Sequence, residues 1–166
     1  MGSAEEEIIE REASIMRTLV AFFSRSGRTR KAAEQIAATV GADLHEIRTE
    51  KGHPRGYLMA VLAARRELSR GARPTLSSQA PDLDGYNRVL LGFPIWWGTC
   101  PMAVLSFLEG ASLDGKDVWP FCTSTSGGIA RAKADIERAC PGATVHEGLR
   151  AKGLDEAKIA AWLAKG

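Results

Sequence analysis

Five short apolar runs recur along the chain, and after each comes a stretch whose apolar residues return at helical spacing. The runs cover Arg17 to Phe23, Asp43 to Ile47, Asn87 to Phe93, Lys116 to Cys122 and Thr144 to Gly148. The helical patterns cover Thr29 to Val40, Tyr57 to Arg70, Pro101 to Leu108, Ile129 to Ala139 and Asp155 to Ala164. Ala33, Ile36, Ala37 and Val40 share one face of the first, and Leu58, Val61, Leu62 and Leu68 one face of the second. A run such as Val89-Leu90-Leu91-Gly92-Phe93 is apolar on both faces, which requires burial between two helix layers. Strand and helix alternating in this way feed a parallel sheet with right-handed crossovers. The pattern predicts an α/β fold, a three-layer α/β/α sandwich on a five-stranded parallel sheet. Ligands of such sheets bind outside the carboxyl ends of the strands, at a topological switch point.

Three loops at those ends carry chemistry. After the first strand come Ser24-Arg25-Ser26-Gly27-Arg28-Thr29, where hydroxyls and a glycine precede a helix. Gly27 lets backbone approach an anion, and Ser24, Ser26 and Thr29 offer donors beside a helix N-terminus, which together suit a phosphate. The same residues also serve as ordinary turn and cap residues. After the third strand, Pro94-Ile95-Trp96-Trp97-Gly98 places two indoles between a proline and a glycine, fit either for a flat ligand or for core and interface packing. After the fourth, Thr123-Ser124-Thr125-Ser126-Gly127-Gly128 is again rich in hydroxyls and glycine. Loops of a doubly wound sheet converge, so the three could embrace a flat ring with a phosphate tail, as in flavin mononucleotide (FMN).

Neither a G-x-x-x-x-G-K-[ST] phosphate loop nor a G-x-G-x-x-G turn occurs. A receiver domain needs clustered acids where Ser24-Arg25-Ser26 stand, a low-molecular-weight phosphatase needs arginine where Gly128 follows Cys122, and no G-x-S-x-G elbow exists for a serine hydrolase. Cys100, Cys122 and Cys140 lack disulfide or metal spacing and read as reduced, packed thiols. His45, His53 and His146 are scattered, so no metal site or catalytic base is expected. Residues 1–16 hold five glutamates against Arg11, net −4, which leaves +6 for the rest of a chain of formal charge +2. They read as an acidic extension or a vector-derived remnant, and residues 17–166 as the folded domain. No run approaches the roughly 20 apolar residues of a membrane span and no nucleic-acid motif appears, so a cytoplasmic protein without membrane or nucleic-acid partners is expected.

The combination Phe22-Phe23-Ser24-Arg25-Ser26-Gly27-Arg28-Thr29, Gly92-Phe93-Pro94-Ile95-Trp96-Trp97-Gly98 and Thr123-Ser124-Thr125-Ser126-Gly127-Gly128 resembles the flavodoxins, from Arg17 to the C-terminus. The resemblance implies strand order 2-1-3-4-5, FMN as cofactor, and Ser24, Ser26, Gly27 and Thr29 on its phosphate, with Arg25 and Arg28 beside them. It further implies Trp96 or Trp97 against the ring together with Pro94 and Ile95, the peptide at Gly98 turning toward the flavin N5, and Thr123 to Gly128 along the pyrimidine side. No aromatic stands in Thr123 to Gly128, residues 17–166 are basic where the family's carriers are acidic, and Arg28 replaces a frequent asparagine. Three expectations follow: an FMN-dependent electron carrier working with a redox partner protein; an FMN-dependent quinone or flavin reductase taking nicotinamide and a small acceptor; or a domain of this fold without tight flavin binding. A monomer or a homodimer is expected. The insert Glu50 to Tyr57 reads as a surface connector, with Tyr57 or His53 as a gate to the open flavin face if it has a role.

Overall fold

The computed structural model describes residues 3–8, 17–52, 56–124 and 126–166; the extension at 9–16, His53 and Thr125 lie outside the described residues. The strands are β1 (Arg17–Phe22), β2 (Asp43–Glu46), β3 (Tyr86–Phe93), β4 (Asp117–Cys122), β5 (Thr144–Val145) and β6 (Leu149–Arg150). The helices that alternate with them are α1 (Arg28–Val40), α2 (Tyr57–Arg70), α3 (Met102–Gly110), α4 (Ile129–Ala139) and α5 (Glu156–Leu163). Every pairing is parallel and the order is β2-β1-β3-β4-β5, as expected, with β6 also on β4. The chain leaves β1 for β2 on one side and returns to β3 on the other, so the switch point lies between β1 and β3.

The pleat divides the core in two. Leu19, Ala21 and Phe23 join Val89, Leu91 and Phe93 under α3 and α4, while Val20, Phe22 and Leu90 face Ala33, Ile36 and Ala37 of α1 and Ile159 and Trp162 of α5. Strands that feed both clusters must be apolar on both faces, which is why their sequence shows no alternation.

Two expectations fail. The run Thr144 to Gly148 is not one strand: β5 stops at Val145, paired with Val118, and pairing resumes as β6 at Leu149, opposite Phe121. Three steps along β4 match four along its neighbour, so the ladder is bulged. The cause is Pro120. The carbonyls of Lys116, Val118 and Cys122 accept from Thr144, His146 and Ala151, so position 120 faces the same edge, and a proline there has no N–H to donate.

In α2, Leu58 and Leu62 of the expected face are exposed, Val61 and Leu68 are half-buried with Leu68 packed on the core, and the fully buried residues are Ala60 and Ala64. Helical spacing groups apolar residues into faces without saying which one meets the sheet. Alanine lets α2 sit close there.

Candidate functional site

The turn between β1 and α1 is closed by its own residues: the Gly27 amide donates to Ser24 Oγ at 3.1 Å, and Gly27 adopts φ 89°, a left-handed conformation that suits glycine. Helix α1 has neither a side-chain cap nor an acidic residue in its first turn. Its leading amides and the positive end of its dipole therefore face outward without a built-in acceptor. Arg25, Ser26 and Arg28 stand exposed around that end. Among the described residues, neither arginine pairs with a carboxylate. Thr29, 2% exposed, places its hydroxyl 2.9 Å from that of Thr123 at the end of β4, which ties the first and third loops together.

The loop after β3 folds back as a tight turn in which the Trp96 amide donates to Thr99 O at 2.7 Å and the Thr99 amide to Trp96 O at 3.1 Å. Its central residues, Trp97 and Gly98, take φ 52° and 81°, as in a type I′ turn. Trp97 is the only non-glycine residue with positive φ among the described residues. It is held there by an indole N–H donated to Val61 O at 2.9 Å and by Arg65, whose guanidinium lies 5.1 Å from the ring centroid. Trp96 packs edge-on against Phe23 at 5.3 Å, and Thr99, fully buried, donates to Asp135.

In the loop after β4, Ser124 Oγ donates to Ser126 O at 2.9 Å, and Arg150 donates to Gly127 O at 3.0 Å. Gly128 (φ 84°) opens α4 so close to the second loop that a Cβ would lie 2.5 Å from Ile95 Cγ2 and 3.1 Å from Gly98 O.

Between these loops and α2 lies a cavity of about 560 Å³. Arg25, Ser26, Arg28 and Thr29 line it from the first loop, Pro94, Ile95, Trp96 and Trp97 from the second, and Thr123 and Ser124 from the third. Ser24, Gly27, Gly98, Ser126, Gly127 and Gly128 shape these loops from outside the lining. The fourth wall comes from α2: Ala60, Val61 and Ala64, which no sequence signal marked, and at its start Tyr57, one of the two gate candidates of the insert. Tyr57 thus belongs to the cavity rather than to a mere connector, and the close approach allowed by Ala60 and Ala64 is what brings it there.

Among the described residues, the cysteines, His45 and His146 lie outside the cavity lining. Cys100, Cys122 and Cys140 are buried and free, and burial pushes the Cys100 thiol up to about 12 and the Cys140 thiol up to about 11. His146 stacks on Trp119 at 4.0 Å and bonds Asp117, while His45 packs on Phe107 with Nε2 buried and unpartnered. Among the described residues no cluster could hold a metal ion, and no helix is long and apolar enough to cross a membrane.

A family model described as flavodoxin matches residues 17–166. The chain belongs to the flavodoxin family. A flavoprotein from Bacteroides uniformis is 32% identical over 90% of this flavodoxin-family chain and 99% of its own, with a TM-score of 0.79. One from Bacteroides eggerthii is 34% identical over 89% and 96%, with a TM-score of 0.76. A flavoprotein from Lactobacillus acidophilus, solved in complex with FMN, is 21% identical over 89% and 99%, with a TM-score of 0.74, a likeness of fold. Among curated proteins nothing matches.

Proposed function

We propose that the cavity binds FMN and that the protein carries electrons. The observation that supports this most is a single cavity with two chemically distinct ends. One end has the uncapped start of α1, the hydroxyls of Ser26 and Thr29, and the guanidinium groups of Arg25 and Arg28, which suit a phosphate dianion. The other has Trp96, Trp97, Ile95 and Pro94, which suit a flat conjugated ring. A volume of about 560 Å³ is of the size ligand sites have. The donor set fits FMN better than riboflavin, which would leave the cationic end unused. When bound, FMN supplies one- and two-electron transfer, while the protein anchors the phosphate, excludes water from one ring face and sets the potential through backbone and indole contacts.

Fluorescence titration tests the reading. FMN is expected to bind, with riboflavin at least about tenfold weaker, the value of one charge-assisted hydrogen bond. Equal affinity for the two, or none, would remove it.

A second reading, an FMN-dependent reductase oxidising NADH or NADPH, is favoured by Thr123 and Ser124, which leave their side of the cavity without an aromatic cover. Rapid anaerobic bleaching of bound FMN by either nicotinamide selects the reductase. Reduction by dithionite alone selects the carrier.

A further inference from the structure

In its first two turns helix α2 buries Ala60 and Ala64 and exposes larger apolar residues. Ala60 and Ala64 are 4% and 7% exposed, whereas Tyr57, Leu58, Met59 and Leu62 are 77%, 68%, 58% and 44% exposed. Packing against the protein does not require this arrangement. Trp97, bonded to Val61 O, adjoins them, so five of the seven large exposed hydrophobics among the described residues lie together. Tyr57 and Trp97 also line the cavity, so the patch runs up to its mouth. Scattered exposed apolar residues need no explanation, but a contiguous patch does.

The flank of the patch is cationic. Leu58, Leu62 and Arg66 recur at four-residue spacing on one stripe, with Arg65 over Trp97 and Arg70 one turn farther on. Among the described residues, Arg65, Arg66 and Arg70 pair with no carboxylate.

We propose that this stripe docks an acidic electron-carrier protein, whose apolar centre covers Leu58, Met59 and Leu62 and whose carboxylates meet Arg65, Arg66 and Arg70. That the partner carries electrons rests on the FMN reading above. Complementary charge selects this occupant. A second copy would bring the same arginines to both sides of the contact with no acid on the stripe to meet them. A membrane surface fits less well, because the apolar part spans under two turns and the Trp97 N–H is already committed to Val61 O.

The test is calorimetric titration of the FMN-free and FMN-loaded protein with a plant-type ferredoxin as acidic probe and cytochrome c as basic control. Ferredoxin is expected to bind, about tenfold more weakly at physiological than at low ionic strength, and cytochrome c is not. Leu62→Ser and Arg66→Glu lie outside the cavity lining and should each weaken ferredoxin binding about tenfold, with melting temperature and FMN affinity unchanged. Absence of ferredoxin binding, or binding to both variants as tight as to the unsubstituted protein, overturns the proposal. Self-association abolished by Leu62→Ser would give the patch to a second copy, and capture by phosphatidylserine vesicles lost in the variants would give it to a membrane; either overturns it. Failure to bind FMN would remove the function proposed above, while ferredoxin titration of the FMN-free chain would still decide the docking.

Discussion

The hydroxyl oxygens of Thr29 and Thr123 lie 2.9 Å apart, although 94 residues separate them. This one bond joins the loop after β1 to the loop after β4 across the end of β3. It fixes the spacing between the walls that the first and third loops give the cavity.

Replacing Thr29 by valine keeps the shape and removes the bond at a position 2% exposed. The Thr123 hydroxyl loses its partner, so urea unfolding should show a loss of about 1–2 kcal/mol. Thr29→Ser keeps the hydroxyl and should retain most of that stability. A larger loss for Thr29→Ser than for Thr29→Val would show that the methyl group, not the bond, matters.

Gly92 and Gly128 both exclude a Cβ, for different reasons and with different expected outcomes. At Gly92 an added Cβ would lie 2.3 Å from Phe121 Cζ, inside the core. Gly92→Ala should therefore cost about 1–3 kcal/mol of stability. At Gly128 the clash is with Ile95, which lines the cavity, and φ of +84° adds strain for any side chain. Gly128→Ala should thus weaken FMN binding in excess of its effect on denaturant stability, and the ratio of the two losses separates a site glycine from a core glycine.

Much of this was legible in the sequence because strand and loop chemistry is local. Continuous apolar runs give buried parallel strands, and hydroxyl-rich loops at their ends give the cavity's polar walls. The rest depended on partners far away in the chain. The break after Val145 follows from Pro120 on the neighbouring strand, and no reading of Thr144 to Gly148 alone contains it. The wall built by α2 was hidden because Ala60 and Ala64 carry little hydrophobic signal, while the louder Leu58 and Leu62 turn outward. The φ of 52° at Trp97 had no signal beyond the glycine that follows, since the bond from its indole to Val61 O is made in space.

Stability should fall on both sides of neutrality for identifiable reasons. Burial holds His45 below its ordinary value of 6.5, so the folded protein resists a proton that the unfolded chain accepts. Its contribution is present above about pH 6.5 and is lost as the pH falls further. Replacing His45 by phenylalanine, which keeps the stack on Phe107, should flatten the acid limb of a stability profile. At the other extreme, burial raises the Cys100 thiol from 9.0 to about 12, so stability present below pH 9 is lost as the unfolded thiol ionises and the folded one does not. The same shift predicts that the folded protein resists thiol reagents near neutral pH, and that all three cysteines react after unfolding. Labelling of Cys100 in the folded protein would contradict it.

Two neighbouring arginines of α1 should behave oppositely. Arg30 donates to Glu46 at 2.5 Å, a carboxylate it shares with Arg48, and lies over the Phe22 ring, so it is already engaged away from the cavity. Arg28, the first residue of the uncapped helix, lines the cavity and has no carboxylate partner among the described residues. A phosphate at that helix end would draw on Arg28 and leave Arg30 in place. Arg28→Ala should then weaken FMN by about tenfold, leave riboflavin unchanged and reduce the salt dependence of FMN binding. Arg30→Ala should cost modest stability, on the order of 1 kcal/mol or less for a partly exposed pair, with FMN affinity kept. If Arg28→Ala weakened FMN and riboflavin alike, Arg28 would be supporting the ring end of the cavity, and the phosphate would have to lie elsewhere.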